Sequence, residues 1–175
     1  MSDKTILKVT AIITVLLFAT VSSVFGFSTL TSTTPSAFAQ QQQPFFDAKL
    51  TGKDEVPATD TKTTGIAEFT SNGADSMMYK VNVTDMQKVT AAHIHKGKVG
   101  ENGPVVVTLF KTDSPSATTS GVLSEGNITS ANLEGPLSGK SLNDLINLIN
   151  NGEAYVNVHT EANPNGEIRG QLSSM

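Results

Sequence analysis

The sequence predicts an all-β domain: an antiparallel sandwich or barrel of seven or eight short strands with one short helix. Three observations carry this. From Phe45 onward, short runs rich in Val, Ile, Phe, Tyr and Thr alternate with Gly, Asn, Asp and Pro punctuation. Within 77–84 the residues Tyr79, Val81 and Val83 alternate with Lys80 and Asn82, the period-2 signature of a strand with one buried and one wet face. Helical spacing of apolar residues occurs in that region only at Leu142, Leu145, Ile146 and Ile149.

In chain order, the first segment is of a different kind. Lys4 and Lys8 precede an apolar run from Val9 to Phe27, and Ser36-Ala37-Phe38-Ala39 follows as an A-x-A cleavage sequence. Basic start, apolar run and small-residue site together read as a secretory signal over residues 1–39. The run approaches the roughly 20 residues that span a bilayer, so an uncleaved N-terminal anchor is the competing reading. Either reading places the remainder outside the cytoplasm, secreted or tethered to the outer face of the membrane, with membrane contact only through this segment. Residues 40–44 form a short linker, within a Ser, Thr, Gln and Pro-rich stretch over 28–44. The β-domain occupies 45–173.

Strands are predicted over 45–50, 64–70, 77–84, 89–96, 104–110, 121–130, 154–160 and 166–172. The Asn102-Gly103 pair in Gly100–Pro104 is a hairpin signal that sets 89–96 antiparallel to 104–110. Asn163-Pro164-Asn165-Gly166 turns 154–160 back onto 166–172. Ser141 caps a helix over 142–149, and Asn151-Gly152 ends it.

Composition narrows the chemistry. The chain has no cysteine, so disulfides, thiolate metal sites and a Cys nucleophile are excluded; a metal would need His, carboxylate or amide ligands. From residue 40 onward 10 Lys and Arg stand against 15 Asp and Glu, a net charge of −5. The basic residues are scattered, which argues against nucleic-acid binding. No nucleophile elbow, phosphate-binding loop, His-Glu-x-x-His or EF-hand pattern is present.

All three histidines lie in two predicted strands. His93 and His95, two apart, share a face with bases roughly 7 Å apart, while Ala92 and Ile94 face the core. In the later strand Ala154, Val156 and Val158 form the core set, which puts His159 on the opposite face with Tyr155 and Asn157. If the two strands are neighbours, His93, His95 and His159 converge on zinc or copper. The alternative is a polar clasp, in which the rings hydrogen-bond to Tyr155, Asn157, Thr160 or Glu161. Arg169, the only arginine, is expected to pair with Glu167 or a carboxylate on a neighbouring strand. Asp54 and Glu55 are expected to be solvated turn residues. Glu101 and Glu161 are the acids nearest the histidines in sequence. Asn82-Val83-Thr84 and Asn127-Ile128-Thr129 are glycan acceptor triplets.

Three separated motifs carry a family resemblance. Ala48–Pro57 (AKLTGKDEVP), Ala92–Gly97 (AHIHKG) with Gly103–Val107 (GPVVV), and Tyr155–Thr160 (YVNVHT) with Asn163–Leu172 (NPNGEIRGQL) together resemble the CHRD (chordin-type) domain family over about residues 45–172. The resemblance implies an extracellular, immunoglobulin-like sandwich or barrel. Chordin's cysteine-rich modules are absent, so growth-factor binding is not implied. It also implies a shared structural or binding role for His93, His95, His159 and Arg169. A remote similarity to copper/zinc superoxide dismutase lies in the His-x-His on a strand, without the bridging histidine, remaining ligands or cysteines. The expected function is an exported, non-enzymatic binding or structural module in cell-envelope or extracellular-matrix interactions, its partner an extracellular protein or envelope component. The alternatives are a copper or zinc protein using the three histidines and, behind it, a metalloenzyme.

Overall fold

A computed structural model describes residues 44–73 and 75–175. The expected signal or anchor over 1–39 and most of the linker lie outside the described residues. Among those described, no helix is long and apolar enough to cross a membrane.

All eight predicted strands form, with a ninth short one at the end. They are β1 (Phe45–Thr51), β2 (Thr64–Ser71), β3 (Met77–Gln87), β4 (Val89–Lys96), β5 (Val105–Lys111), β6 (Thr118–Ile128), β7 (Ala154–Thr160), β8 (Ile168–Gln171) and β9 (Ser173–Ser174). One sheet runs in the order β5-β4-β7-β8-β1-β2-β3-β6, with β9 added beside β1. Every pairing is antiparallel. The sheet curls into a nearly closed barrel, so the choice left open by the sequence resolves toward the barrel.

Side chains close the seam between the end strands. Tyr79 Oη and Ser124 Oγ each donate to the carbonyl oxygen of Leu109 at 2.8 Å, tying β3 and β6 to β5. Farther along β5, Glu134 N–H donates to Val106 O at 2.8 Å and Leu133 bridges Val107. Part of the exposed β5 edge is thereby covered, which satisfies backbone groups that would otherwise be open to another strand.

The barrel interior follows the alternation in the sequence. Ala48, Leu50, Ala67, Phe69, Val81, Ile94, Val106, Val156, Val158 and Ile168 are all buried. Helix α1 (Leu142–Asn150) starts with a reciprocal Ser141–Asp144 capping box and ends before Gly152, whose φ of 67° suits a residue without Cβ. Its stripe buries Leu142, Leu145 and Ile149. Each such side chain contributes about 2 kcal/mol of burial, and Leu145→Ala would open a void that the packed surroundings cannot fill.

Two turns behave differently from each other. Asn163–Gly166 reverses the chain between β7 and β8 as expected. The β4–β5 connection, in contrast, is not a two-residue hairpin at Asn102-Gly103. It is an eight-residue loop over 97–104. Gly103 sits so close to the Lys96 carbonyl that a Cβ there would collide with it, and this closeness, rather than a tight turn, requires the glycine.

Candidate metal centre

β7 occupies the middle of the β5-β4-β7-β8 run, and both of its faces are buried. Ala154, Val156 and Val158 point into the barrel. On the outer face Tyr155 and Asn157 are also buried, at 2% and 3% exposure, although the sequence expects that face to be wet. Loops 52–57, 97–104 and 161–166 reach this face and form a second, polar interior outside the barrel. The three histidines lie at its edge.

Strand register brings them together. β4 and β7 pair with Ala91 opposite His159, His93 opposite Asn157 and His95 opposite Tyr155. All five polar or aromatic side chains therefore share one face. One potential ligand atom from each of His93, His95 and His159 lies within 4.8 Å of the other two. His93 Nδ1 is 3.0 Å from His159 Nε2.

Backbone carbonyls fix the ring tautomers. His159 Nδ1 lies 2.9 Å from Pro164 O and His95 Nδ1 lies 2.8 Å from Gly103 O. A carbonyl oxygen only accepts, so both Nδ1 atoms carry the proton and both Nε2 atoms present lone pairs. His159 Nε2 accepts from His93 Nδ1–H at 3.0 Å. His95 Nε2 is buried with no hydrogen-bond partner. A buried acceptor without a donor is costly, and among native side chains it is uncommon.

Charge follows the same logic. Burial is the largest influence on all three rings and lowers their pKa values, His93 to about 4, with its two neighbouring imidazoles adding to the effect. For His95 the Gly103 carbonyl and the Asn157 side chain work the other way, favouring a proton. The rings are neutral at pH 7, which is the form that binds metals. Imidazoles held by Nδ1–H bonds to backbone carbonyls have the outer support typical of metal-ligating histidines.

The residues around the rings serve as scaffolding. Tyr155 stacks on His95 with centroids 4.9 Å apart and a 7° angle, and its hydroxyl accepts from Gly103 N–H at 3.2 Å. The Arg169 guanidinium carbon lies 3.4 Å over the Tyr155 ring. Arg169 does not pair with Glu167, contrary to expectation. It donates to Lys98 O, Glu101 O and Asn102 Oδ1 at 2.9, 2.8 and 3.2 Å, and so organises loop 97–104. Glu167 instead accepts from Thr61, Thr63, Thr160 and Asn163.

Glu55 is the residue that the sequence misplaces most. It is a buried carboxyl, 6% exposed, and accepts from Asn157 Nδ2 at 3.0 Å. Burial raises its pKa to about 7, against the opposing pull of Arg169. Gly166 makes this contact possible, because a Cβ at that position would overlap both Asn157 Nδ2 and the Glu55 carboxylate. Asp54, by comparison, is exposed and accepts from Thr51 as a turn residue does.

Of the four expected clasp partners only Asn157 acts on the protonation of a ring, favouring a proton on His95. Tyr155 stacks rather than bonding to a ring, Thr160 Oγ1 donates to Glu167, and Glu161 is exposed. Glu101 is also exposed, and neither acid joins the three-histidine group.

No curated protein and no solved structure matches the chain. A family model does, over residues 46–172, and its span runs from the second residue of β1 through β8 with all three histidines. Such domains are extracellular-type modules. The chain belongs to the CHRD domain family.

Proposed function

We propose that this chain is an exported, non-enzymatic CHRD module that binds one copper or zinc ion through His93, His95 and His159. The observation that carries the reading is the pair of pinned tautomers: two Nδ1–H groups tied to Gly103 O and Pro164 O, leaving two Nε2 lone pairs, one of them buried and unpartnered. Three imidazoles without thiolate suit Cu(II) or Zn(II). The 3.0 Å separation of His93 Nδ1 and His159 Nε2 is close to the ~3.3 Å edge of a tetrahedron with bonds of about 2.0–2.1 Å. Loading needs the His93 proton to leave Nδ1, and the other ring nitrogen is available to carry it.

The ligand group found among the described residues holds no carboxylate, which supports binding; the acids Glu134 and Glu161 line the cavity beside His93 and stay outside the group. The family's extracellular type and the expected export segment support a cell-envelope or extracellular-matrix setting. The partner is an extracellular protein or envelope component. Among the described residues its docking surface is not marked by a large apolar patch: of the exposed large apolar residues there, only Ile66 and Val122 share a row across the sheet, flanking Asn82.

A second reading rests on the His93–His159 contact, which is complete without metal and would serve as a clasp between β4 and β7. Calorimetric titration of the metal-free protein with Cu(II) and Zn(II) separates the two. One equivalent bound, and none by His95→Ala, supports the metal site. No binding, with a large loss of thermal stability in His93→Ala, establishes the clasp.

A further inference from the structure

We infer that Asn157 Oδ1 is the fourth donor of the metal centre, completing a three-nitrogen, one-oxygen set that the protein itself closes. This rests on the metal reading above and specifies it further. Asn157 is 3% exposed, and its Oδ1 has no hydrogen-bond partner. Among the described residues three buried acceptors lack a partner, His95 Nε2, Asn157 Oδ1 and Gln171 Oε1, and the first two lie on the histidine face of the neighbouring strands β4 and β7. A bound cation would satisfy both lone pairs at once; the competing occupant is a proton on His95 Nε2, which burial disfavours and the Asn157 side chain favours.

The orientation of the amide is set from its other end. Asn157 Nδ2 donates to Glu55 Oε1 at 3.0 Å and lies 3.4 Å from the Asn165 carbonyl, an atom that can only accept. Turning the amide over would set Oδ1 against that carbonyl. With Nδ2 committed to Glu55 and the Asn165 carbonyl, Oδ1 is the amide atom left for the histidine face. Asn157 pairs across the ladder with His93 and sits two residues from His159 on the same face, so it belongs to the histidine face by register. Glu55 is thus a positioning residue, and Gly166 provides the room that lets its carboxylate reach Asn157.

A closed four-donor site has a chemical consequence. An open position would hold exchangeable water and support catalysis; a fourth protein ligand favours retention of the ion. Neutral imidazoles plus an amide oxygen suit Zn(II) and Cu(II) and leave the ion's double charge uncompensated.

The test uses Co(II) and Zn(II) with the wild-type protein, Asn157→Leu and the Glu55→Gln/Asn157→Asp double variant. Co(II) visible absorption reports the donor set, and competition with a chelator reports affinity. Asn157→Leu is expected to bind about 10–100-fold more weakly with an altered Co(II) spectrum. Asn157→Asp, made together with Glu55→Gln so that an amide donor faces the new carboxylate, places an anionic oxygen at the same position and is expected to bind at least about tenfold more tightly, with a distinct spectrum. Asn157→Leu with wild-type affinity and spectrum overturns the assignment. If Asn157→Leu does not fold, the Glu55→Gln/Asn157→Asp double variant decides, and unchanged or weaker binding overturns the assignment. Wild-type protein that takes up neither metal overturns this inference and the metal reading together, whereas wild-type binding with insensitive Asn157 variants overturns only this one.

Discussion

Arg169→Lys isolates what holds the outer face of β7 together. The substitution keeps the positive charge but removes the planar fork and its stacking surface. Arg169 makes three side-chain hydrogen bonds to loop 97–104 and lies over Tyr155, and it is 2% exposed. Hydrogen bonds from a charged donor contribute about 1.5–3 kcal/mol each, and a desolvated cation–π contact about 2 kcal/mol. A lysine ammonium can recover some of these but cannot bridge Lys98 O and Glu101 O while stacking. Because such losses are not additive, the net expected cost is about 3 kcal/mol. For a domain of this size that lowers the melting temperature by roughly 10 °C. Urea denaturation of metal-free protein at pH 7, followed by far-UV circular dichroism, reads the change directly. Since Gly103 and Tyr155 position His95, metal affinity should fall in the same variant. A stability loss below about 0.5 kcal/mol would refute the view that loop 97–104 is built on this side chain.

Further outcomes follow from the same interior. Glu55 has a folded pKa raised to about 7 against 4.5 ordinarily, so the fold binds the extra proton and stability falls as pH rises from 4.5 to 7. Glu55→Gln keeps an acceptor for Asn157, and it should match wild type near pH 4.5 but exceed it at pH 8 by up to about 3 kcal/mol in urea unfolding. Equal stability at pH 8 would count against burial as the cause. The histidines have the opposite sign. Their folded pKa values are lowered, His93 to about 4, so the unfolded chain binds protons that the fold refuses. Stability should therefore drop as pH falls from 6.5 toward 4, with a shallower slope in His93→Gln measured over that window. Zinc at about 100 times its dissociation constant should add about 2.7 kcal/mol and raise the melting temperature by roughly 10 °C, an increment absent from His95→Ala.

Much of the barrel is legible in the sequence because its strands obey a one-sided rule. Val81 and Val83 face in while Lys80 faces out, and the stripe from Leu142 to Ile149 announces a helix with its cap at Ser141. The convergence of His93, His95 and His159 is legible for the same reason, since period 2 places them on one face once β4 and β7 are neighbours. The burial of that face is not. It arises from three loops folding over β7, and a loop's tertiary position leaves no periodic trace. Glu55 therefore reads as a solvated turn residue when it is a buried carboxyl. The supports of the rings are invisible for another reason: Gly103 O and Pro164 O are main-chain atoms, which every residue type possesses. Arg169 misleads similarly, because its partners are two carbonyls and an amide oxygen rather than carboxylates.

Anomalous diffraction at the zinc or copper edge from crystals of the metal-loaded protein tests the central claim most directly. The account predicts one strong peak about 2.0–2.1 Å from His95 Nε2, His159 Nε2 and a ring nitrogen of His93, with Asn157 Oδ1 completing the set. Crystals grown at saturating metal that show no peak at that point, with the His93–His159 hydrogen bond intact, would contradict it.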